Sequence, residues 1–301
     1  MDFFCILVPI LVVIFAEHTL ATKLGKAEEN ARKFPEYRSG QYQGDIDLSQ
    51  MIDWRNGIRR KSMLWPNGKV TYEFSDDYPV ASRDIIRKAI KELVSKVNAD
   101  GHDGCVEFVE KKSNEGDDYV FIEDKPTCMS PVGMLGGKQK VLLGSFYCLE
   151  QMATVQHEML HTLGFWHEQA RTDRNKYVKI NFENVAKGQV HNFDMETENM
   201  DLLNTPYNYH SILHYDEYAF STSADQTIVA LEPGVELGSR TLEGLDVERV
   251  RILYECGPTS RKSVDCEDLR PDCDYFFDKG YCVTRVGQMR LFCAKMCRFC
   301  G

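Results

Sequence analysis

The feature that most constrains this chain of 301 residues is a cluster of histidines in residues 154–169, TVQHEMLHTLGFWHEQ. His157 and His161 are four residues apart, so on a helix their side chains share one face and lie about 6 Å apart along the axis. Glycine tolerates the left-handed backbone that ends many helices, so Gly164 predicts a helix end. The chain then turns, and His167 returns toward the same point. This spacing predicts that three imidazoles surround one point.

Three imidazoles at one point are the ligand set of a catalytic zinc ion, whose fourth position stays open for water. Zinc lowers the pKa of that water toward about 7 and polarises a carbonyl group. Glu158 lies off the face of His157 and His161, where it can take the water proton as general base. The motif therefore predicts one zinc ion bound by His157, His161 and His167, and hydrolysis of amide bonds. The alternative is a helix with solvated histidines, against which the fixed spacing of the third histidine argues.

Composition limits the partners of the protein. The chain is 43% hydrophobic and 27% charged, as globular proteins are, and its formal net charge is −10. An acidic chain without a basic stripe is not expected to bind nucleic acid or an anionic membrane surface. The length allows one large core and a small additional module.

The N-terminus predicts export. Residues 3–16, FFCILVPILVVIFA, form an apolar run that is shorter than the roughly 20 residues of a membrane span. Small residues follow it and suggest cleavage after Ala21, so we interpret residues 1–21 as a secretory signal peptide. The alternative is a buried N-terminal core segment. The protein is therefore predicted to be secreted and extracellular.

The cysteine content agrees with export, because disulfides persist outside the cytosol. Eleven cysteines are present, and Cys5 would be removed with the signal peptide. Of the remaining ten, four are widely spaced and six crowd residues 266–300: Cys105, Cys128, Cys148 and Cys256, then Cys266, Cys273, Cys282, Cys293, Cys297 and Cys300. A segment this short cannot bury a sufficient hydrophobic core, and its six cysteines therefore predict a disulfide framework. Their spacing alone leaves fifteen possible connectivities.

Periodicity predicts several elements of secondary structure. Apolar residues at helical spacing predict an amphipathic helix over residues 82–97, with Ser82 as N-cap. Further helices are predicted from residue 148 to about 163 and over 243–254, and strands over 70–74, 119–122 and 140–144. Residues 170–235 are polar with scattered aromatics and are predicted to be irregular.

The extended motif HEMLHTLGFWHE, residues 157–168, resembles that of the astacin family of metzincin zinc metalloproteases, in which a glutamate follows the third histidine. Supporting matches are WPNG at 65–68, EQARTDR at 168–174, SILHY at 211–215 and ILYEC at 252–256. The resemblance implies an α+β fold, with a twisted mixed sheet and long helices above a cleft, an irregular lower half and zinc between them. It also implies a zinc metalloendopeptidase that acts on proteins or peptides.

The same resemblance assigns roles within SILHY. Tyr215 would ligate the resting zinc and swing away to stabilise the oxyanion as a second catalytic residue; a core tyrosine is the alternative. Leu213 is a departure, because the family has methionine there, in a turn that forms an apolar floor below the histidines. Leucine and methionine have similar volumes, so the exchange is expected to cost less than about 1.5 kcal/mol. A working site is expected, with an inactive relative as the alternative.

The resemblance also implies a zymogen with a pro-segment over residues 22–55. Residues 42–45, YQGD, resemble the family motif whose aspartate blocks the zinc, so Asp45 would ligate zinc in the latent form only. A polar turn residue is the alternative. The family spacing places the mature N-terminus at Asn56, after cleavage at Arg55 by a trypsin-like protease, where its amino group would pair with Glu168. Cleavage at residues 59–60, RR, is the competing site.

The C-terminal cysteines resemble the ShK-toxin-like (ShKT) domain that often follows astacin domains. The two resemblances imply a protease domain over residues 56–256, a linker over 257–265 and a ShKT domain over 266–300. They imply the disulfides Cys105–Cys256, Cys128–Cys148, Cys266–Cys300, Cys273–Cys293 and Cys282–Cys297. The Lys-Tyr pair of channel-blocking toxins falls on Gly287 and Gln288, so channel block is not supported.

Substrate preference has one candidate residue. Many relatives prefer an acidic residue just after the cleaved bond, and Arg240 resembles a basic family position that would bind it; a surface arginine is the alternative. A second function that fits the chain is a non-catalytic secreted binding protein that keeps the scaffold and uses the ShKT tail. The retention of Glu158 and all three histidines favours the protease.

Overall fold

The structure is a computed structural model that describes residues 34–51, 63–112, 117–222, 225–257, 273–284, 293, 295 and 296. The predicted signal peptide, Arg55, Asn56 and the predicted linker after Gly257 lie outside the described residues.

A five-stranded mixed sheet has the strand order β2-β1-β3-β5-β4. Its central strands run parallel, and β4 pairs antiparallel with β5 at one edge. Side chains alternate between the faces, so Val70, Tyr72 and Phe74 of β1 point into the core. The strands are β1 Lys69–Phe74, β2 Glu107–Glu110, β3 Tyr119–Glu123, β4 Cys128–Met129 and β5 Lys138–Leu143.

Three helices complete the upper half of the molecule, which consists of residues 63–163 and the helix before Cys256. They are α1 Val80–Val97, α2 Met152–Thr162 and α3 Gly244–Leu253. Helix α1 buries one stripe of apolar side chains against the core, Ile86, Ala89, Ile90, Leu93 and Val97. The prediction that Ser82 caps α1 was wrong. The helix begins at Val80, after Pro79, whose restricted φ suits a helix start.

Helix α2 is buried over residues 153–162 and packs against α1. It begins four residues later than predicted. Helix α3 begins with a capping box, in which Glu243 and Asp246 each bond to the other's backbone N–H. Helices α2 and α3 therefore both pack against α1.

The lower half, residues 165–242, consists mainly of single 3₁₀ turns. The prediction that residues 170–235 are irregular missed a two-stranded antiparallel sheet, β6 Val178–Ile180 and β7 Ile228–Ala230. Strands of three residues are too short to show an alternating pattern. The 3₁₀ turns of the described chain are Pro35–Arg38, Leu48–Gln50, Pro66–Gly68, Glu168–Ala170, Arg174–Lys176, Phe182–Asn184 and Val190–Phe193.

The fold is α+β, as expected, with a small cysteine-linked module at the C-terminus. That module contains α4 Cys273–Asp278 and α5 Tyr281–Thr284. Among the described residues, no helix combines the length and apolar character needed to cross a membrane.

Candidate metal centre

Four buried side chains from two distant parts of the chain converge on one point. His157 and His161 lie one turn apart on α2, with their Nε2 atoms 3.0 Å from each other. His167 approaches from beyond the helix, and its Nε2 lies 3.3 Å from that of His157. The Asp45 carboxylate lies 3.0 Å from Nε2 of His157 and 3.2 Å from Nε2 of His167. The structure thus brings the three predicted ligands and the predicted blocking aspartate together.

The chain returns to the centre through a reversal at Gly164. Its φ is +106°, in the left-handed region that favours glycine. Its backbone N–H bonds to the carbonyl of His161 at 2.8 Å, and that of Phe165 bonds to the carbonyl of Leu160 at 3.1 Å. These bonds end α2 and direct His167 back toward the helix.

Hydrogen bonds assign the protons of the three rings. Nδ1 of His157 lies 2.7 Å from the carbonyl oxygen of Ile212, and Nδ1 of His161 is equally close to a backbone carbonyl after the helix. A carbonyl oxygen only accepts, so each Nδ1 carries the proton and each Nε2 carries a lone pair. Nδ1 of His167 lies 3.0 Å from Oε1 of Gln43 in the same manner. Three lone pairs therefore point at one another and at a carboxylate.

This donor set fits one zinc ion. The four ligand atoms lie within 4.8 Å of one another. Tetrahedral ligands at about 2.0–2.1 Å from zinc are about 3.3 Å apart. The nitrogens and carboxylate oxygens are separated by 3.0–3.6 Å. A cation at the centre would also relieve the repulsion between the lone pairs and the carboxylate, so the site can bind one metal ion.

Burial sets the charge state of the ligands. It lowers the pKa of His167 to about 4, so this ring stays neutral and keeps its lone pair. Neutral imidazole and ionised carboxylate are the forms that bind a metal.

Glu158 lies next to His157 on α2 and is fully buried. Burial, followed by the charge of Asp45, raises the pKa of its carboxyl group well above the usual range. Neither of its carboxylate oxygens bonds to any other described residue. Leaving a carboxyl group buried and unpaired costs stability, and such costs are typical of groups kept for chemistry.

The segment containing Leu213 packs against the metal centre, where the carbonyl of Ile212 bonds to Nδ1 of His157. Leu213 is buried in the large apolar cluster, and its carbonyl accepts the N–H of Glu168 at 3.0 Å. The Asp246 carboxylate holds the same segment by accepting the hydroxyl of Ser211 at 2.6 Å and the N–H of Ile212 at 3.1 Å. Leucine therefore provides apolar contact here and takes no part in the ligand set.

Tyr215, predicted as a resting zinc ligand, has another partner in this structure. Its hydroxyl donates to the backbone carbonyl of Gln43. Its ring is in edge contact with those of Tyr37 and Phe220, at centroid distances of 5.0 and 5.5 Å. Its ring lies 5.0 Å from that of His167, but its hydroxyl proton is donated to the segment before Asp45.

Arg240 binds a carboxylate of the same chain. Its guanidinium donates to Oε1 of Glu36 at 2.6 Å, to Oε1 of Gln151 at 2.9 Å and to the hydroxyl of Thr154. The ring of Phe34 lies 5.0 Å from it. Glu36 is 1% exposed. Arg240, the candidate residue for binding substrate, therefore forms a buried ion pair rather than a solvated surface contact.

Glu168 already has several partners. Its carboxylate accepts from both Nη atoms of Arg249, one at 3.0 Å, and from the N–H of Asn208 at 2.7 Å, and it lies 3.4 Å from Nη1 of Arg171. Its predicted partner, Asn56, lies outside the described residues. A cavity beside Glu168 is lined by Leu160, Phe165, Trp166, Met200, Leu213 and Arg249, among others.

Three of the implied disulfides lie within the described chain. Cys105 is joined to Cys256, Cys128 to Cys148 and Cys273 to Cys293. The first ties the end of α3 to the start of β2. The other two implied pairs, Cys266–Cys300 and Cys282–Cys297, involve cysteines that lie outside the described residues.

Four residues that contact the predicted site residues were not predicted from the sequence: Glu36, Tyr37, Gln43 and Arg249. Gln43 had a signal, because it lies inside the YQGD motif. Glu36 had none, since its partner Arg240 is 204 residues away. Pairings of that kind arise only from tertiary structure.

Comparisons with known proteins agree with this geometry. The family model described as Astacin, a peptidase family, matches residues 57–255, and that described as ShK domain-like matches residues 265–300. The chain is similar to low choriolytic enzyme of Oryzias latipes, with 39% identity over 202 residues that cover 65% of this chain and 70% of that protein.

Two further similarities extend the comparison. Zinc metalloproteinase nas-15 of Caenorhabditis elegans is 30% identical over 297 residues, which cover 85% of this chain. The chain spans about half the length of that relative, 50%. The solved structure of high choriolytic enzyme 1, a hatching enzyme zinc-protease from Oryzias latipes, matches with a TM-score of 0.59 and 32% identity. That match covers 66% of this chain and 98% of the solved one.

Proposed function

Because this chain belongs to the astacin family of peptidases, we propose that it is a secreted zinc-dependent endopeptidase made as a zymogen. The observation that carries the proposal is the position of the Asp45 carboxylate among the Nε2 atoms of His157, His161 and His167. The three histidines hold one zinc ion, and Asp45 supplies a further ligand in the latent form. Its substrates are proteins or peptides.

Glu158 is the general base of the proposed reaction. When bound, zinc supplies Lewis acidity, which polarises a carbonyl group and makes water easier to deprotonate. The Glu158 carboxylate accepts the proton of the attacking water and passes it to the leaving amine. Its burial supports this role, because a raised pKa brings a carboxyl group closer to the pKa of the groups it exchanges protons with.

Tyr215 is the second catalytic residue. Its phenol donates a hydrogen bond to the oxyanion that develops on the substrate, and one such donor is worth about 2.7–4 kcal/mol. Burial raises the pKa of this phenol well above its usual value, so it remains a donor at neutral pH. Removal of the pro-segment releases its hydroxyl from Gln43 and allows it to turn toward the zinc or the substrate.

Residues 22–55 form the pro-segment that keeps the enzyme latent. Asp45 occupies the position that water and substrate need, and Gln43 holds both the ring of His167 and the hydroxyl of Tyr215. Latency then has two parts, since the segment blocks the metal and also withholds the oxyanion donor.

A trypsin-like protease activates the zymogen by cleavage after Arg55. The amino group of Asn56 then enters the cavity beside Glu168. Glu168 keeps Arg249 and Arg171 as partners there, so the new ammonium joins an existing buried network rather than an isolated carboxylate. Cleavage within residues 59–60 would shorten the N-terminus and forfeit this contact.

Arg240 binds an acidic side chain of the substrate close to the cleaved bond. Glu36 supports this assignment, because the pro-segment itself places a carboxylate on Arg240 at 2.6 Å. Arg240 is anchored by Gln151 and Thr154, at the N-terminal end of α2, so it stays in position when Glu36 leaves.

The proposed organisation comprises a signal peptide over residues 1–21, a protease domain over 56–256, a linker over 257–265 and a ShKT domain over 266–300. The acidic net charge of −10 argues against nucleic acid and anionic membrane surfaces as partners. The tail would assist substrate docking or stability.

The test is cleavage of casein or a quenched peptide by the recombinant chain after trypsin treatment, with and without a zinc chelator. Activity should require trypsin, zinc and Glu158, so Glu158→Gln serves as the matched control. Mass spectrometry of the activated protein should give Asn56 as its first residue. Failure of folded, zinc-loaded and processed protein to cleave any substrate would favour the alternative, a catalytically impaired secreted binding protein.

A further inference from the structure

We infer that the cleft contains an apolar subsite for a branched aliphatic side chain of the substrate, formed by Val132, Leu135, Trp166 and Met200. We call this set the aliphatic subsite. The inference rests on the proposed function, because Ile46 of the pro-segment covers the subsite until activation. It names a second feature of the substrate, distinct from the acidic residue bound by Arg240.

Ile46 occupies the aliphatic subsite in the latent form. It directly follows Asp45 and is 0% exposed. It belongs to one apolar cluster with Met51, Val132 and Trp166, and the half-buried side chains that pack against this cluster are Tyr42, Leu48, Met63, Leu135 and Met200. Burial of an aliphatic side chain against such a surface is favourable in proportion to the apolar area removed from water.

Backbone hydrogen bonds fix the direction of the Ile46 side chain. The N–H of Ser130 donates to the carbonyl of Asp45 at 3.0 Å, and the N–H of Asp47 donates to the carbonyl of Ser130 at 3.0 Å. Ile46 is therefore bracketed by two backbone bonds to the segment after β4. These two bonds fix the orientation of the backbone at Ile46, so its side chain enters the cluster in a defined position.

The aliphatic subsite and Arg240 lie at opposite ends of α2. Arg240 bonds to Gln151 and Thr154 at the start of the helix, whereas Trp166 follows its end. Eleven residues of helix and turn lie between Thr154 and Trp166; His157 and His161 are among them, and His167 directly follows Trp166. A peptide that replaces the pro-segment across the metal centre therefore meets Arg240 on one side and the aliphatic subsite on the other.

Removal of the pro-segment uncovers apolar surface. Leu135 and Met200 are already half-buried in the latent form, and Val132 and Trp166 are buried. Exposed apolar patches on protein surfaces commonly mark binding sites. An isoleucine, leucine or valine of the substrate would cover this surface, and an acidic or basic residue would lose its hydration there without gaining a partner.

The experiment uses the trypsin-activated protein and a set of quenched peptides. In each pair of peptides one position, on either side of the cleaved bond, carries isoleucine in one peptide and aspartate in the other. At one position, on the side away from the acidic residue bound by Arg240, isoleucine should raise kcat/KM by about tenfold or more over aspartate. Leu135→Lys should remove this preference and favour aspartate. Met195→Lys is the matched control, because Met195 is an exposed methionine outside the cluster and should leave the preference unchanged.

Leu135 is the first variant because Trp166 and Met200 also line the cavity beside Glu168. A second readout does not depend on activity: a synthetic peptide of residues 34–51 should bind the activated protein about tenfold more tightly than its Ile46→Asp form. Cleavage without a preference for isoleucine, or a preference that survives Leu135→Lys, would overturn the aliphatic subsite alone. Absence of any cleavage would overturn the proposed function, and the subsite with it.

Discussion

The two halves of the molecule meet at the metal centre but are stabilised differently. The upper half buries aliphatic side chains of α1, α2 and the sheet in one cluster. The lower half has a smaller cluster that mixes aliphatic side chains with several aromatic rings, together with buried charges. Arg171 donates to the carbonyls of Thr205 and Pro206, and Arg174 donates to those of Gln169 and Phe193. Buried arginines thus satisfy carbonyls that regular helices and strands would satisfy by themselves.

This difference affects how each half contributes to the site. The upper half presents His157, Glu158 and His161 from one rigid helix, so their spacing follows from helix geometry. The lower half presents Tyr215 from a turn that Gln169 holds through the N–H of Tyr215 at 3.1 Å. A residue on such a turn can change its hydrogen-bond partner with little rearrangement, as release of the Tyr215 hydroxyl from Gln43 requires.

The largest effect is expected for Glu158→Gln in the upper half. The amide cannot accept a proton, so kcat should fall by about 10²–10⁴-fold. Stability should not fall, because the substitution removes a buried carboxyl group without partners among the described residues. Steady-state kinetics and thermal unfolding of the same preparation measure both. A variant that is inactive and also less stable would mean that the carboxyl group has a structural role.

The next effect is expected for Arg249→Leu, at the seam between the halves. It leaves the Glu168 carboxylate buried with less compensation, which should reduce the free energy of unfolding by about 3–5 kcal/mol. Urea denaturation of the zymogen measures it. Arg87→Leu is the matched control, because Arg87 pairs with Asp84 and Glu110 at the surface and should cost less than about 1 kcal/mol. Equal costs would contradict the view that buried charges stabilise the lower half.

A smaller effect is expected for Tyr215→Phe in the lower half. Loss of the oxyanion donor should lower kcat of the activated protein by about 10²–10³-fold with little change in KM. Tyr207→Phe is the matched control, because it removes a phenol that bonds to His214 at 2.6 Å within the same aromatic cluster. That control should reduce stability but leave kcat nearly unchanged. Equal losses of kcat in the two variants would mean that Tyr215 acts through packing and not as an oxyanion donor.

The smallest effect is expected for Leu213→Met, which restores the residue usual in the family. Both side chains are apolar and of similar volume, so the free energy of unfolding should change by less than about 1.5 kcal/mol, and kcat should change little. Chemical denaturation and steady-state kinetics of the two activated proteins measure this. A large gain in kcat or in zinc retention would mean that leucine impairs the site.

The sequence was most informative where a pattern repeats. The stripe of α1 and the spacing of the histidines on α2 were readable because a helix repeats every 3.6 residues. The predicted strands of the upper half also matched, within a few residues at their ends. The lower half has three-residue strands and single turns, so β6 and β7 left no periodic signal. The start of α1 was misplaced because Ser82 is a good capping residue, whereas the local chain geometry at Pro79 decided the boundary.

The sequence by itself determined the ligand set, since the identity and spacing of His157, His161 and His167 specify both the metal and a helical frame for it. Only tertiary structure decided which partner each of the other groups has. Glu36 pairs with Arg240, Glu168 pairs with Arg249, and Ile46 shares a buried apolar cluster with Trp166. The physical reason is that the first set depends on local geometry, one helix and the turn at Gly164. These pairs form only when folding brings distant segments together, because each buried charge or apolar surface then needs a partner.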